Sequence, residues 1–137
     1  MVSRVLMSAS AAIVLVVGAL HLRALFFSPE LRPRDLELEA RMKEVSPVVT
    51  SLTTMWKAWV GFNAMQSVGL MLFGVVYAYL SLFRFQVLRE DPFLLSAGAV
   101  FLGSLVVLAR RYLFNIPERV FAVALVLYVL GAAVAVV

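Results

Sequence analysis

The sequence predicts an all-α fold: an integral membrane four-helix bundle with a short amphipathic interfacial helix in its first loop. Three observations carry this expectation. The 137 residues are 64% hydrophobic and only 15% charged, whereas a soluble domain has about a quarter charged residues. Four segments, about 5–22, 58–83, 92–109 and 120–137, contain no Asp, Glu, Lys or Arg and approach or exceed the roughly 20 residues of a bilayer crossing. The alternation expected of outer-membrane barrel strands is absent, and helices pair their own backbone groups inside hydrocarbon. The chain therefore reads as a single membrane domain over residues 1–137.

Composition excludes several function classes. There is no cysteine, which removes disulfides, thiolate metal sites and thiol nucleophiles. The one histidine, His21, cannot build a multi-histidine cluster within one chain, so neither a metal nor a cofactor is expected. The net charge is +4, but the basic residues sit at the ends of apolar runs. That pattern points to lipid headgroups as partners and away from nucleic acid.

The first apolar run follows Arg4 and lacks a clean small-x-small cleavage site, so it reads as a retained membrane helix. Ser10, Val14, Val17, Gly18 and His21 share one of its faces, with small residues that allow close helix approach. Residues 23–57 form the only sizeable loop. Ser28-Pro29-Glu30 is expected to start a helix, with a cap, a first-turn proline and an early acid. At about 35–45, Leu38, Met42 and Val45 recur at helical spacing among charges, which describes the interfacial helix. Five basic and five acidic residues between Arg23 and Glu44 make this no polybasic segment. Ser46-Pro47 is expected to open a long second membrane helix running to about Phe83. A short connector, 84–91, leads to Asp91-Pro92, a cap and first-turn proline for the third helix, which carries a stripe of Ser96, Ala99, Gly103 and Arg110. Asn115-Ile116-Pro117-Glu118 turns the chain into the fourth.

An even number of spans puts both termini on one side. That side, with the second loop, carries three basic residues; the first and third loops carry nine. The positive-inside rule then makes the first and third loops cytoplasmic and the termini external.

One stretch collects polar side chains at the mouth of an apolar run. Trp56, Trp59, Asn63, Gln66 and Ser67 fall within roughly a 100° arc of the second span. At 1.5 Å per residue, His21 and Asn63 lie about 11 Å from the midplane and Gln66 about 7 Å, all toward the first loop. Arg110 and Glu118 come out at about 14–16 Å on the same side. The candidate pocket is therefore floored by Asn63, Gln66 and Ser67, walled by Trp56 and Trp59, and rimmed by His21, Arg110, Arg111 and Glu118. Each also has a structural reading: interhelical hydrogen bonding for the amides, an interfacial belt for the tryptophans, snorkelling for the arginines, and a helix-dipole partner for Glu118. No catalytic residue is assigned, because no carboxylate lies deep in a span and nothing evident orients the His21 imidazole toward Ser67.

The order Leu20-His21-Leu22, Phe26-Phe27, Glu39-Ala40-Arg41-Met42, Thr53-Thr54-Met55-Trp56, Trp59, Gly61-Phe62-Asn63, Ser67, Gly69 and Phe73-Gly74 resembles a group of small, uncharacterised bacterial four-helix integral membrane proteins. The layout is more distantly similar to DoxX-like proteins. The resemblance implies the four-span fold and no specific activity. It also implies a histidine where this chain has Gln66, so chemistry resting on that imidazole would be missing. The expectation is a small non-enzymatic protein that binds a lipid-like or amphipathic molecule, or serves as an accessory subunit of a membrane complex. The alternative is a small membrane enzyme acting on a lipid or isoprenoid-like substrate; a third reading is an oligomeric transporter or channel. Partners are membrane lipids and, beyond them, other membrane subunits or further copies of the chain.

Overall fold

The computed structural model describes residues 1–136, and no strand occurs among them. Six helices follow in order: α1 (Val2–Phe27), α2 (Leu36–Glu44), α3 (Met55–Phe83), α4 (Phe85–Glu90), α5 (Pro92–Tyr112) and α6 (Asn115–Val136). Helices α1, α3, α5 and α6 are long and apolar enough to cross a membrane. Even 21 residues of α5 rise about 31 Å, close to the thickness of a hydrocarbon core.

The helix starts show which capping signals act. Asp35 caps α2, accepting from Glu37 N at 2.9 Å and Leu38 N at 3.3 Å. Glu37 and Glu39 in its first turn, and Arg41 and Lys43 in its last, oppose the helix dipole. Asp91 caps α5 in the same way, with Pro92 at its first position. Two expected starts fail. Ser28-Pro29 makes only a turn, closed by Arg32 N to Pro29 O at 3.0 Å. A helix begun there would place the ring of Pro33 against the Pro29 carbonyl four residues earlier. Ser46-Pro47 also makes only a turn, Thr50 N to Pro47 O at 3.2 Å. The β-branched run Val48-Val49-Thr50 is stiff, and the Thr50 hydroxyl accepts locally from Leu52 N at 3.1 Å. Thr54 Oγ1 finally accepts from Lys57 N at 3.3 Å and opens α3 at Met55. The connector after α3 contains the short helix α4.

The chain resolves into two compact units that share α1 and α3, Met1–Val16 with Met71–Val137 and, separately, Val17–Leu70. In the first, α1 meets α6 through Ser3 Oγ donating to Gly131 O and Ser10 Oγ to Ala124 O, each at 2.7 Å. It meets α3 where Gly74 leaves no room for a side chain, since a Cβ there would lie 2.8 Å from the Leu15 backbone. The far side of this unit is aromatic. Phe73 stacks on Phe101 of α5, and the rings of Tyr77 and Tyr128 meet edge to face at 5.7 Å. Tyr77 donates to Leu94 O at 2.8 Å, and Tyr128 to Leu95 O at 3.1 Å. Buried tyrosine hydroxyls need such partners. Of the stripe expected on α5, Ser96 and Arg110 are exposed and Ala99 and Gly103 half-buried, while the buried residues are Gly98, Leu102 and Ala109; Ser96 bonds the carbonyl of Pro92 in its own helix. The side chain of Tyr128 fills the space that Gly98 leaves on the inner face.

In the second unit, the first connector folds back on the start of α3. Met55 N donates to Val45 O at 2.8 Å, and Trp59 Nε1 donates to Leu31 O at 3.2 Å. Lys43 joins Glu39 in an ion pair and lies over the Trp56 ring, 5.3 Å from its centroid. Helix α2 is present where the sequence places it, yet its buried residue is Glu39, whereas Leu38 and Val45 are exposed.

Candidate ligand-binding site

Eight of the nine sequence-predicted site residues divide into three groups. The first is a small hydrogen-bonded cluster where the last turns of α1 meet α3. Ser67, fully buried, lies 3.3 Å from His21 Nδ1 and 2.9 Å from Asn63 O. A hydroxyl has one proton, and the shorter bond assigns it to Asn63 O. A His21 protonated at Nδ1 can then donate to Ser67 Oγ. Asn63 spends its Nδ2 on Trp59 O of its own helix at 2.8 Å, so its amide nitrogen does not bridge helices.

The second group holds the connector. Trp56 and Trp59 fasten Lys43 and Leu31, as described above, and are thereby fixed as braces. The third group lies at the turn between α5 and α6. Arg110 Nε stands 3.9 Å from Glu118 Oε1, and Arg111 is exposed. A contact this long on a largely exposed arginine contributes little. Gln66 belongs to none of these groups: it is exposed, and its amide has no hydrogen-bond partner among the described residues. It does not floor a pocket.

A feature the pocket expectation omitted sits beside the first group. Leu20, Arg23, Ala24, Phe27, Ser28 and Glu30 line an open cleft of about 380 Å³. Its wall is one helical face, since Leu20, Ala24 and Phe27 recur at i, i+4 and i+7. Helix α1 ends at Phe27, and the Ser28–Arg32 turn brings Glu30 back to the same cleft that Arg23 lines. Among the described residues neither charge has an ion-pair partner. The cleft thus offers an apolar wall, a cation and an anion together. The helical spacing of Leu20, Ala24 and Phe27 was readable in the sequence; the return of Glu30 depends on a turn that the sequence reading took for a helix start.

Comparison with protein-family models, with curated proteins and with solved structures returns no match. The site therefore rests on its own geometry. Among the described residues, no three His, Cys, Asp or Glu side chains come together. The Ser67 hydroxyl is both buried and committed to Asn63 O, so it has no open approach for an electrophile. The end of α1 presents a hydrophobic strip beside two opposite charges.

Proposed function

We propose that this chain is a multi-pass inner-membrane protein that binds an amphipathic, lipid-like molecule without transforming it, at the end of α1. The single observation that carries the reading is the cleft in which Leu20, Ala24 and Phe27 stand with Arg23 and Glu30. Its volume lies at the lower end of the range for small-molecule sites. The apolar strip suits a chain, Arg23 suits an anionic head such as a phosphate, and Glu30 suits an ammonium or hydroxyl donor on the same head. The four long apolar helices support insertion. The nine-to-three distribution of basic residues supports cytoplasmic first and third loops, and a C-terminal reporter active only in the cytoplasm would contradict that orientation. The small bacterial four-helix membrane proteins that the sequence resembles are the family we propose for it.

Native mass spectrometry of the protein, purified in mild detergent, tests the binding reading. The expected result is an adduct of defined mass on the wild type that is lost from Arg23→Ala/Glu30→Ala while helicity is unchanged. An adduct equally retained by the variant, or no adduct on the wild type, would sink the proposal. The contact between His21 and Ser67 favours a second reading, an enzyme acting on a lipid. That reading expects His21→Ala to abolish conversion of a bound lipid while leaving binding intact. The buried hydroxyl argues against it.

A further inference from the structure

We propose that Gln66 and Gly69 of α3 form the contact face for a second copy of this chain within the membrane, an inference that rests on the membrane reading above. Gln66 lies inside a 29-residue apolar helix and is exposed on its outer surface. By helical rise its backbone is about 7 Å from the centre of the span, well within a hydrocarbon layer about 15 Å deep on each side. Lipid tails offer no hydrogen bonds there, and a primary amide brings two donors and two acceptor positions that all need satisfying. Among the described residues Gln66 has no partner, unlike Asn63 one turn earlier, which bonds the Trp59 carbonyl.

The surface around the amide matches such an approach. Phe62, Gln66 and Gly69 fall within about 60° of one another around the helix. Gly69 is exposed, and a Cβ placed on it would meet nothing within 4 Å. A neighbouring backbone can therefore come close at that point. Phe62, 69% exposed, supplies apolar area beside the amide.

The occupant is a second copy because a primary amide is its own complement. Two copies inserted in the same orientation carry Gln66 at the same depth. Across a two-fold axis along the membrane normal, each Nε2–H donates to the other's Oε1, and each Gly69 gives the facing helix room. That is the self-complementary patch an isologous dimer requires. A lipid headgroup would have to descend below its normal depth to reach the amide, and an acyl chain offers nothing to it.

The full chain is suited to a direct test because it contains no cysteine. Single cysteines at Phe62→Cys, Gly69→Cys and, as a control at least 100° away around the helix, Val68→Cys are oxidised in native membranes. Disulfide-linked dimers are expected from the first two and not from the third. Gln66→Leu, combined with either cysteine, is expected to remove most of the cross-link. In reconstituted phosphatidylcholine vesicles it is expected to raise the dimer dissociation constant by about 5- to 30-fold. Gln66→Asn is expected to recover part of the association. Equal cross-linking at Val68→Cys, an unchanged dissociation constant in Gln66→Leu, cross-links to a different protein, or a monomer in membranes overturns the inference and leaves the membrane reading standing. A chain washed from membranes by alkali overturns both.

Discussion

The space beside individual glycines divides them into two kinds. At Gly74 an added methyl would press on the backbone of Leu15, with Cα and N each 2.8 Å away. Backbone in a packed helix cannot step aside as the end of a side chain can. Gly74→Ala is therefore expected to destabilise the protein by about 1–3 kcal/mol. Gly103 lies in α5 with nothing within 4 Å of a built Cβ. Gly103→Ala is expected to be neutral or to stabilise by up to about 1 kcal/mol, because glycine costs helix propensity and alanine does not. Thermal unfolding of both variants in the same detergent checks the pair; equal losses would contradict the packing described for α1 and α3. This distinction was not legible in the sequence, where both glycines follow apolar residues in charge-free runs. Tyr128 was legible as a mid-span tyrosine, but not as the ring that fills the place left by Gly98. That depends on which face of α5 turns inward, and Ser96, Ala99 and Gly103 gave a misleading answer. A serine in a membrane helix can satisfy itself on its own carbonyl, as Ser96 does on Pro92, so its presence does not mark an interface.

At the scale of elements, the first connector is the least expected part. The sequence places α2 where it forms, because the helical spacing among charges over 35–45 is a local signal and the Asp35 cap acts locally too. It misjudged Ser28-Pro29 and Ser46-Pro47 because a cap-and-proline signal starts a helix only if the following residues can continue it. Pro33 and the run Val48–Thr50 cannot. The long-range ties, Trp59 to Leu31 and Lys43 over Trp56, leave no mark in local spacing. The ion pair within α2 is pH-dependent. Lys43 hydrogen-bonds Glu39 and holds its carboxyl below the usual range, with further help from the charges of Lys43 and Arg32. A carboxyl whose value is lowered by folding stabilises the fold fully above its unfolded value of about 4.3. That contribution fades as pH falls through the lowered folded value. Amide-exchange protection of α2, corrected for intrinsic rates, is expected to hold from neutral pH to about pH 5 and to decline below about pH 4. Lys43→Gln is expected to show weaker protection at neutral pH and little of that decline. An identical pH profile in the variant would contradict the assignment.

For the whole molecule, many large apolar side chains stand exposed. Leu20, Phe62, Leu72, Val107 and Val126 each expose more than half their surface, on helices with the length and composition of membrane spans. The all-helical class and the approximate positions of the four long helices were readable from charge gaps, which have the length and polarity of bilayer spans. The candidate site was only partly readable. Depth arithmetic placed His21 and Asn63 at one level, and the two come together through Ser67. It could not show that Gln66 faces outward, nor that a turn returns Glu30 to the cleft lined by Arg23. The central claim is that this cleft holds an amphipathic molecule as a defined site. It is tested most directly by irradiating the membrane-embedded protein with a phosphatidylethanolamine bearing a photoreactive group near its headgroup, then mapping the labelled peptides. Labelling concentrated within residues 20–30, and abolished in Arg23→Ala/Glu30→Ala, is the predicted result. Labelling spread evenly over the exposed faces of the four long helices, and unchanged in the variant, would contradict it.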